Sequence, residues 1–376
     1  MSEIIIDKSQ ENKLKQQLQQ RGGADAARIL RLLNMPDLSR TVGSPLKEIV
    51  DRASKVKSLV GFDVIEIPEI IPIDIFFDLF NMPPGHPARS RSDTYYVDDG
   101  HILRSHDTVF WYYYLNDPEI KKRIVNKETL GAICYGKVYR KDEIDRTHMN
   151  VFHQFGAWYI GPDEGKNIIP DDLKRTLSEV AESLGINHRF YDHNFPYTDP
   201  SFEMEMEMNG KWVELVGSGM VRKSVLQNFG LTGYHGWAFG FGLERLAIGN
   251  MRLPDIRLLW STDPRVTKQL KLGQKFVEVS KFPPITRDIS FIVKKNTNFV
   301  PNNYFDLIRD IGGDLVEEVA LLDKYENPDR IGADNVSYTY RVVYRSNDRT
   351  LTDNEIQPLQ NRLIDETEHQ FQAEIR

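Results

Sequence analysis

Cysteine is nearly missing from this chain: one residue, Cys134, in 376. A disulfide framework and a cysteine-built zinc site are excluded within one copy, and Cys134, in an apolar setting, reads as a core residue in a reducing compartment. No apolar run reaches the length needed to span a bilayer. The amino-terminal stretch MSEIIIDKSQENKLKQQ includes acids. It lacks the marks of a signal peptide and of an Arg/Ser-rich transit peptide. A cytoplasmic protein is the expectation, with a processed mitochondrial-matrix protein as the alternative. Basic charge is not in excess: 48 Lys and Arg stand against 55 Asp and Glu, a net of −7. A binder relying on bulk charge is thereby disfavoured, but a local basic footprint on a larger body is not.

What is present, 40% hydrophobic and 27% charged residues, makes a globular chain large enough for two or three domains. Two stretches organise it. The first is 136–159, GKVYRKDEIDRTHMNVFHQFGAWY, which reads as two strands joined by a loop dense in charge. Arg140 at the end of the first strand offers a planar fork of donors to a phosphate. Phe152 on the return strand offers a flat face to a base. The second is 233–250, GYHGWAFGFGLERLAIGN, in which Gly236, Gly240 and Gly242 allow close backbone approach before a helix opens at Leu243 with Arg245 in its first turns. No G-x-G-x-x-G frames that stretch, so it is not a dinucleotide fingerprint.

Together the two stretches resemble motifs 2 and 3 of class II aminoacyl-tRNA synthetases. GFDVIEIPEI (61–70), HPAR (86–89), ILRSH (102–106), YRKDEIDRTHMNVFHQ (139–154), FPYTDPSFEME (195–205), WVELVGSGM (212–220), GWAFGFGLERLAI (236–248) and LPDIRLLW (253–260) occur in the order found in phenylalanyl-tRNA synthetases. FPPITRDISFIV, IGGDLVEEVALLDKY and YRSNDRTLTDNEI, in the last hundred residues, resemble the ferredoxin-fold anticodon-binding domain of the same enzymes. Having both in one chain looks like the monomeric mitochondrial-type form. The expected fold is α+β: an antiparallel class II sheet flanked by helices, then a ferredoxin-like α/β sandwich.

The domain boundaries expected are a helical extension over 1–44, a catalytic domain over 45–262, a linker over 263–281 and the anticodon-binding domain over 282–376. The first segment reads as helix, a Gly22-Gly23 break, then helix; it is a capping appendage or, with Lys13, Lys15 and Arg21 on one side, a tRNA-contacting arm. The helix at 45–58 and the strand at 62–67 resemble motif 1. In the last domain the order strand, helix, strand, strand, helix is the split β-α-β pattern. Residues 281–376 hold 12 Lys/Arg against 17 Asp/Glu, a net of −5. Such a domain reads unpaired bases by stacking and hydrogen bonding if it reads them at all, and Arg287, Arg345 and Arg349 are the candidates.

The resemblance implies a two-step reaction: phenylalanine is activated by ATP to the adenylate, then transferred to the 3′ end of tRNA(Phe). It implies Arg140 on the α-phosphate and Arg245 on the γ-phosphate. Glu143, His148 and Phe152 fall around the adenine and phosphates, and His106, Thr108 and Gln154 around the amino acid's polar end. Phe195, Tyr197, Ala238 and Phe239 fall around its ring. Mg²⁺ falls to Glu214 first and Glu207 second, and His86 and Arg89 lie near ATP or the tRNA acceptor end. Nothing resembles the family's editing module. Two departures stand out: Trp111 where the family has glutamine, and Gly156 where it has glutamate, both around the substrate's ammonium group. They leave open a paralogue that activates a different aromatic acid. A non-catalytic tRNA-binding relative is a third reading, opposed by the intact Arg140, Phe152 and Arg245.

Overall fold

A computed structural model of the chain describes residues 2–208, 210–278, 282–295 and 299–376. The chain divides into two compact units. One comprises 1–140, 151–253 and 270–276; the other comprises 141–150, 254–269 and 277–376.

The first unit is built on an eight-stranded sheet. Its strands are β1 (Glu3–Ile5), β2 (Asp63–Glu66), β5 (Leu130–Tyr139), β6 (Val151–Pro162), β7 (His188–His193), β8 (Thr198–Met208), β9 (Lys211–Val221) and β10 (Tyr234–Gly242); β3 (Ile70–Pro72) and β4 (His101–Leu103) pair separately. The order is β1-β2-β5-β6-β10-β9-β8-β7. β1 and β2 run parallel to their neighbours and the remaining pairs are antiparallel. Helices Pro45–Ala53, Pro170–Ser183 and Leu243–Met251 pack beside one another and on the sheet. The first has Pro45 at its first helical position, where a missing N–H costs nothing, and Ser44 caps it by accepting from Leu46 N. The other face buries Phe76, Phe80, Trp111, Tyr114 and Trp158 in one cluster.

Residues 1–44 are not purely helical. Helices Ser9–Arg21 and Gly23–Asn34 are broken where Gly22 and Gly23 take φ of 65° and 84°, values open to glycine at no steric cost. Ahead of them β1 joins the edge of the sheet, and only its central residue is even half-buried, so it carries no legible period. Leu14, Leu18, Ile29 and Leu32 pack against Tyr95, Leu103, Tyr139 and Val151, which makes the segment part of this unit rather than an appendage. Lys15 pairs with the buried Glu11 at 2.6 Å, and Arg21 donates to Val97 O at 2.7 Å.

The second unit holds β11 (Ile285–Lys294), β12 (Val316–Tyr325), β13 (Asn335–Tyr344) and β14 (Glu374–Ile375) in the order β12-β13-β11-β14, with helices Pro301–Gly312 and Asp353–Phe371. This is the ferredoxin-like sandwich expected. Phe291, Tyr304, Tyr340, Leu363 and Phe371 form its core, and a capping box between Thr352 and Glu355 starts the long helix. The loop 141–150 belongs to this unit. Ile144 is buried in the same core, Val319 N donates to Ile144 O at 2.9 Å, and Ile256 N donates to Arg146 O at 2.8 Å. Part of the segment expected as a linker, 264–267, is a short helix, and 279–281 lie outside the described residues.

Candidate active site

Glycines on adjacent strands make a floor in the first unit. Gly156 of β6 pairs with Gly240 of β10, and Gly240 with Gly217 of β9. Strand alternation sets Gln154, Gly156 and Trp158 on one face with Ala238, Gly240 and Gly242. Side chains from elsewhere lie across this floor. A Cβ at Gly217 would come within 2.8 Å of Phe195 Cζ; one at Gly156 would come within 2.8 Å of Asp107 Cγ and 2.9 Å of its Oδ1. Gly236 serves the sheet instead, since a Cβ there would meet the Tyr159 carbonyl, and Gly242 has open space.

Arg140 stands at the exit of β5. Its Nε donates to Ser105 O at 2.9 Å, and its guanidinium carbon lies 5.1 Å from the centre of the Phe152 ring. Phe195 and Tyr197 stack nearly parallel, 5.7 Å apart at 8°. Burial raises the Tyr197 hydroxyl pKa; the charge of Arg140 opposes this, and those of Asp107 and Glu214 reinforce it. One hydroxyl therefore senses groups from β5, from the loop after β4, and from β9.

Arg245, in the first turn of helix Leu243–Met251, donates to Glu214 O at 2.9 Å, with the Glu214 carboxylate 3.4 Å away. The neighbouring Glu244 faces inward and fixes the helix to β6. It accepts from His153 N at 3.0 and 2.9 Å and from His153 Nδ1 at 2.6 Å. Leu38 N donates to His153 Nε2 at 2.9 Å, so Nε2 is the acceptor and the proton sits on Nδ1. A buried imidazole thus clasps the two motif-bearing elements.

His106 is stacked on Phe76 at 4.1 Å, and its Nδ1 has no hydrogen-bond partner among the described residues. Burial, and then the charges of Arg140 and Arg104, push its pKa down to about 3, so the ring is neutral at physiological pH. Asp107 behaves oppositely: burial raises its carboxyl to about 7 against the opposing charges of Arg104 and Arg140. Its backbone N–H donates to Gln154 Oε1 at 2.9 Å. Thr108 is half-buried beside it and accepts Trp111 N at 3.1 Å. Trp111 lies flat on Trp158, 4.8 Å apart at 18°, in the same cluster as Ala238.

Several expected residues lie elsewhere. Phe239 is on the far face, stacked against Trp237 and Phe155, because alternation that brings Ala238 to the floor turns its neighbour away. Glu207 accepts from Asn187 Nδ2 at 2.8 Å. Glu203 is the carboxylate that answers Glu214: burial first, then the charge of Glu214, raises its pKa. Arg89 is held by its own loop, donating to Met82 O at 3.0 Å, pairing with Asp78 and lying over Phe77. His86 Nδ1 accepts from Ala88 N at 3.2 Å. Glu143 and His148 belong with the second unit; Arg309 donates to Glu143 O at 2.8 Å, and His148 Nδ1 lies 2.8 Å from Asp145. In that unit Arg287 pairs with Asp353 at 2.5 Å, Arg345 with the buried Glu317 at 2.8 Å, and Arg349 with Glu355 at 2.5 Å. The position of Asp107 and the His153–Glu244 clasp are absent from the sequence reading; each brings together segments distant along the chain.

Glu203 of β8, whose carboxylate lies 3.1 Å from His193 Nδ1, and Glu214 of β9 are carboxylates on neighbouring strands, the oxygen-donor type that suits the divalent cation class II synthetases use in general. Among the described residues no group of three or more His, Cys, Asp or Glu is placed to hold a metal alone.

The profile for tRNA synthetases class II core domain (F) matches residues 33–270, and the profile for the ferredoxin-fold anticodon binding domain matches 280–376. A chloroplastic/mitochondrial phenylalanine–tRNA ligase of Arabidopsis thaliana is 38% identical, covering 80% of this chain and 70% of that protein. Mitochondrial phenylalanine–tRNA ligases of Mus musculus and Saccharomyces cerevisiae are 34% and 30% identical, over 77% and 80% of this chain and 70% and 80% of theirs. These names give the cytoplasmic expectation no support and stand with the mitochondrial alternative. No helix among the described residues is long and apolar enough to cross a membrane. With both domain types matched in one chain and relatives of this kind along most of its length, the chain belongs to the phenylalanine–tRNA ligase family of class II tRNA synthetases.

Proposed function

We propose that the chain activates phenylalanine with ATP and transfers it to the 3′ end of tRNA(Phe), acting as a monomer. The observation that carries this is Arg140 beside Phe152 and Arg245 beside Glu214 around one glycine-floored sheet, with the charges of Arg140 and Glu214 both felt by Tyr197.

The substrate carboxylate attacks the α-phosphate, and pyrophosphate leaves. Arg140 stabilises the charge that develops on the α-phosphate oxygens, and Arg245 holds the γ-phosphate so that the leaving group stays in line. Phe152 stacks on the adenine. Glu203 and Glu214 would hold Mg²⁺, which would neutralise the phosphates. The ring of the amino acid lies between the Phe195–Tyr197 stack and Ala238, whose small size leaves room at the para position. An apolar end of this kind rejects tyrosine's hydroxyl only on the order of a hundredfold. Gln154, its Oε1 occupied by Asp107 N, presents amide donors to the substrate's carboxylate end, and the neutral His106 and Thr108 stand beside it. No protein nucleophile takes part. In the second step the tRNA's terminal ribose hydroxyl attacks the activated carbonyl, while the ferredoxin-like domain engages the anticodon.

The test is amino-acid-dependent ATP–pyrophosphate exchange. The wild type is expected to exchange with phenylalanine, and Arg245→Ala to lower kcat/KM for ATP at least ~100-fold. Exchange with another aromatic acid but none with phenylalanine would keep the mechanism and overturn the substrate. An unchanged Arg245→Ala would overturn the assignment of that arginine.

A further inference from the structure

Asp107 has no task in the reaction as described above, yet it is placed like a working group. It is 1% exposed, and its Oδ2 accepts no hydrogen bond among the described residues. A buried carboxylate oxygen left without a donor is costly and calls for a reason. The carboxylate lies across Gly156, in the volume that a side chain at that position would occupy, and a Cβ on Gly240 would stand 3.5 Å from its Oδ1. It therefore sits on the glycine floor, among the groups that Tyr197 senses.

We propose that Asp107 is the anionic partner of the substrate's ammonium group, delivered from the loop after β4 into the space left by the absent side chain at position 156. This rests on reading the site as one that activates an amino acid. The neighbouring polar groups do not compete for the role. Gln154 turns its Oε1 to Asp107 N, which leaves its Nε2 hydrogens, donors that repel a cation. His106 is an uncharged ring on Phe76. Trp111 and Trp158 close the floor beyond with an apolar stack. Arg140 and Arg104 lie near enough to favour the charged carboxylate. The carboxylate that meets the amine has thus moved from a strand to a loop, and Gly156 is the residue that makes room for it.

The test uses the full chain in ATP–pyrophosphate exchange, with phenylalanine and its 2-hydroxy analogue phenyllactate as substrates. Wild type is expected to prefer the amine strongly. Asp107→Asn should raise KM for phenylalanine on the order of 10- to 100-fold, as expected for a lost charge-assisted hydrogen bond, with kcat and the KM for ATP within about threefold. Its preference for phenylalanine over phenyllactate should fall by the same factor. The double variant Asp107→Thr with Gly156→Glu, which returns a carboxylate from the strand, should recover much of that preference. An Asp107→Asn KM within about twofold of wild type, or a wild type that takes phenyllactate as well as phenylalanine, would overturn the assignment. If Asp107→Asn does not fold, the double variant and the wild-type preference decide. Failure of the phenylalanine reading is separately visible: wild type would then exchange with another amino acid, and the same amine and hydroxy pair of that substrate would be compared.

Discussion

Asp107 also has a signature in stability, and its sign differs from that of most paired carboxylates. Its pKa is raised from the ordinary 3.8 to about 7. Between those values the unfolded chain has released a proton that the folded chain still holds, so rising pH favours unfolding across that window. Below it the group costs nothing; above it the cost is full and constant. Asparagine carries no such term. Asp107→Asn is therefore expected to be more stable than wild type above pH 7, by roughly 1–4 kcal/mol since each pKa unit is worth ~1.4 kcal/mol, and to match it near pH 4. Thermal unfolding of both proteins from pH 4 to 8 measures the gap, and a gap that does not change with pH would refute a buried, raised carboxyl. A variant that gains stability while losing affinity for the amino acid is the pattern of a residue kept for function. None of this was legible in the sequence. Arg140, Phe152, Arg245 and the Phe195–Tyr197 pair could be singled out there as candidates, because each lies in a stretch whose neighbours resemble one family. The meaning of Asp107 exists only after the fold puts Gly156 beneath it. Phe239 was misplaced for a local reason: a resemblance names a stretch, and only the alternation of the strand decides which of two adjacent residues faces the site.

Among elements, the helix bearing Arg245 depends on what holds it to β6. Glu244 is 3% exposed and accepts three hydrogen bonds from His153, whose ring is itself fixed by Leu38 N. Removing the carboxylate leaves the His153 amide and Nδ1–H buried without acceptors. Glu244→Ala is expected to cost about 2–4 kcal/mol in the urea unfolding free energy. It should also raise the KM for ATP, because Arg245 is the next residue on that helix. The KM for phenylalanine should move less, since Asp107 and the aromatic pair reach the floor from other segments. An ATP KM that stays put while stability falls would mean the clasp serves the fold alone. The same logic grades the anticodon candidates. Arg345 is tied to the buried Glu317 and to Phe282 O, whereas Arg349 is paired with Glu355 at the surface, with over half of its side chain exposed. An exposed pair of that kind is opened cheaply for a ligand, and a half-buried one is not.

At the scale of the molecule, the order of the two folds along the sequence is simple, and the chain's path through them is not. The second domain was expected over 282–376, after a linker over 263–281. It also takes in 141–150 and 254–269, so the loop of the central hairpin folds with the ferredoxin-like sandwich. Burial of Ile144 in that sandwich and the bond from Val319 N to Ile144 O account for this. Sequence did not reveal it because one isoleucine in a ten-residue loop with eight polar residues shows no period. Its consequence is that residues 282–376 are not a detachable module. Ile144→Asp would put an unpaired charge among Ile289, Tyr340 and Val342 of the same core, and is expected to destabilise this unit by about 2–4 kcal/mol. Limited proteolysis should then cut within 282–376 at lower denaturant than in wild type, while Asp107, Trp111 and Trp158 in the first unit keep their environment. If the cleavage profile of Ile144→Asp matches wild type, the loop is not part of the second core, and a single cut between two independent domains would describe the chain after all.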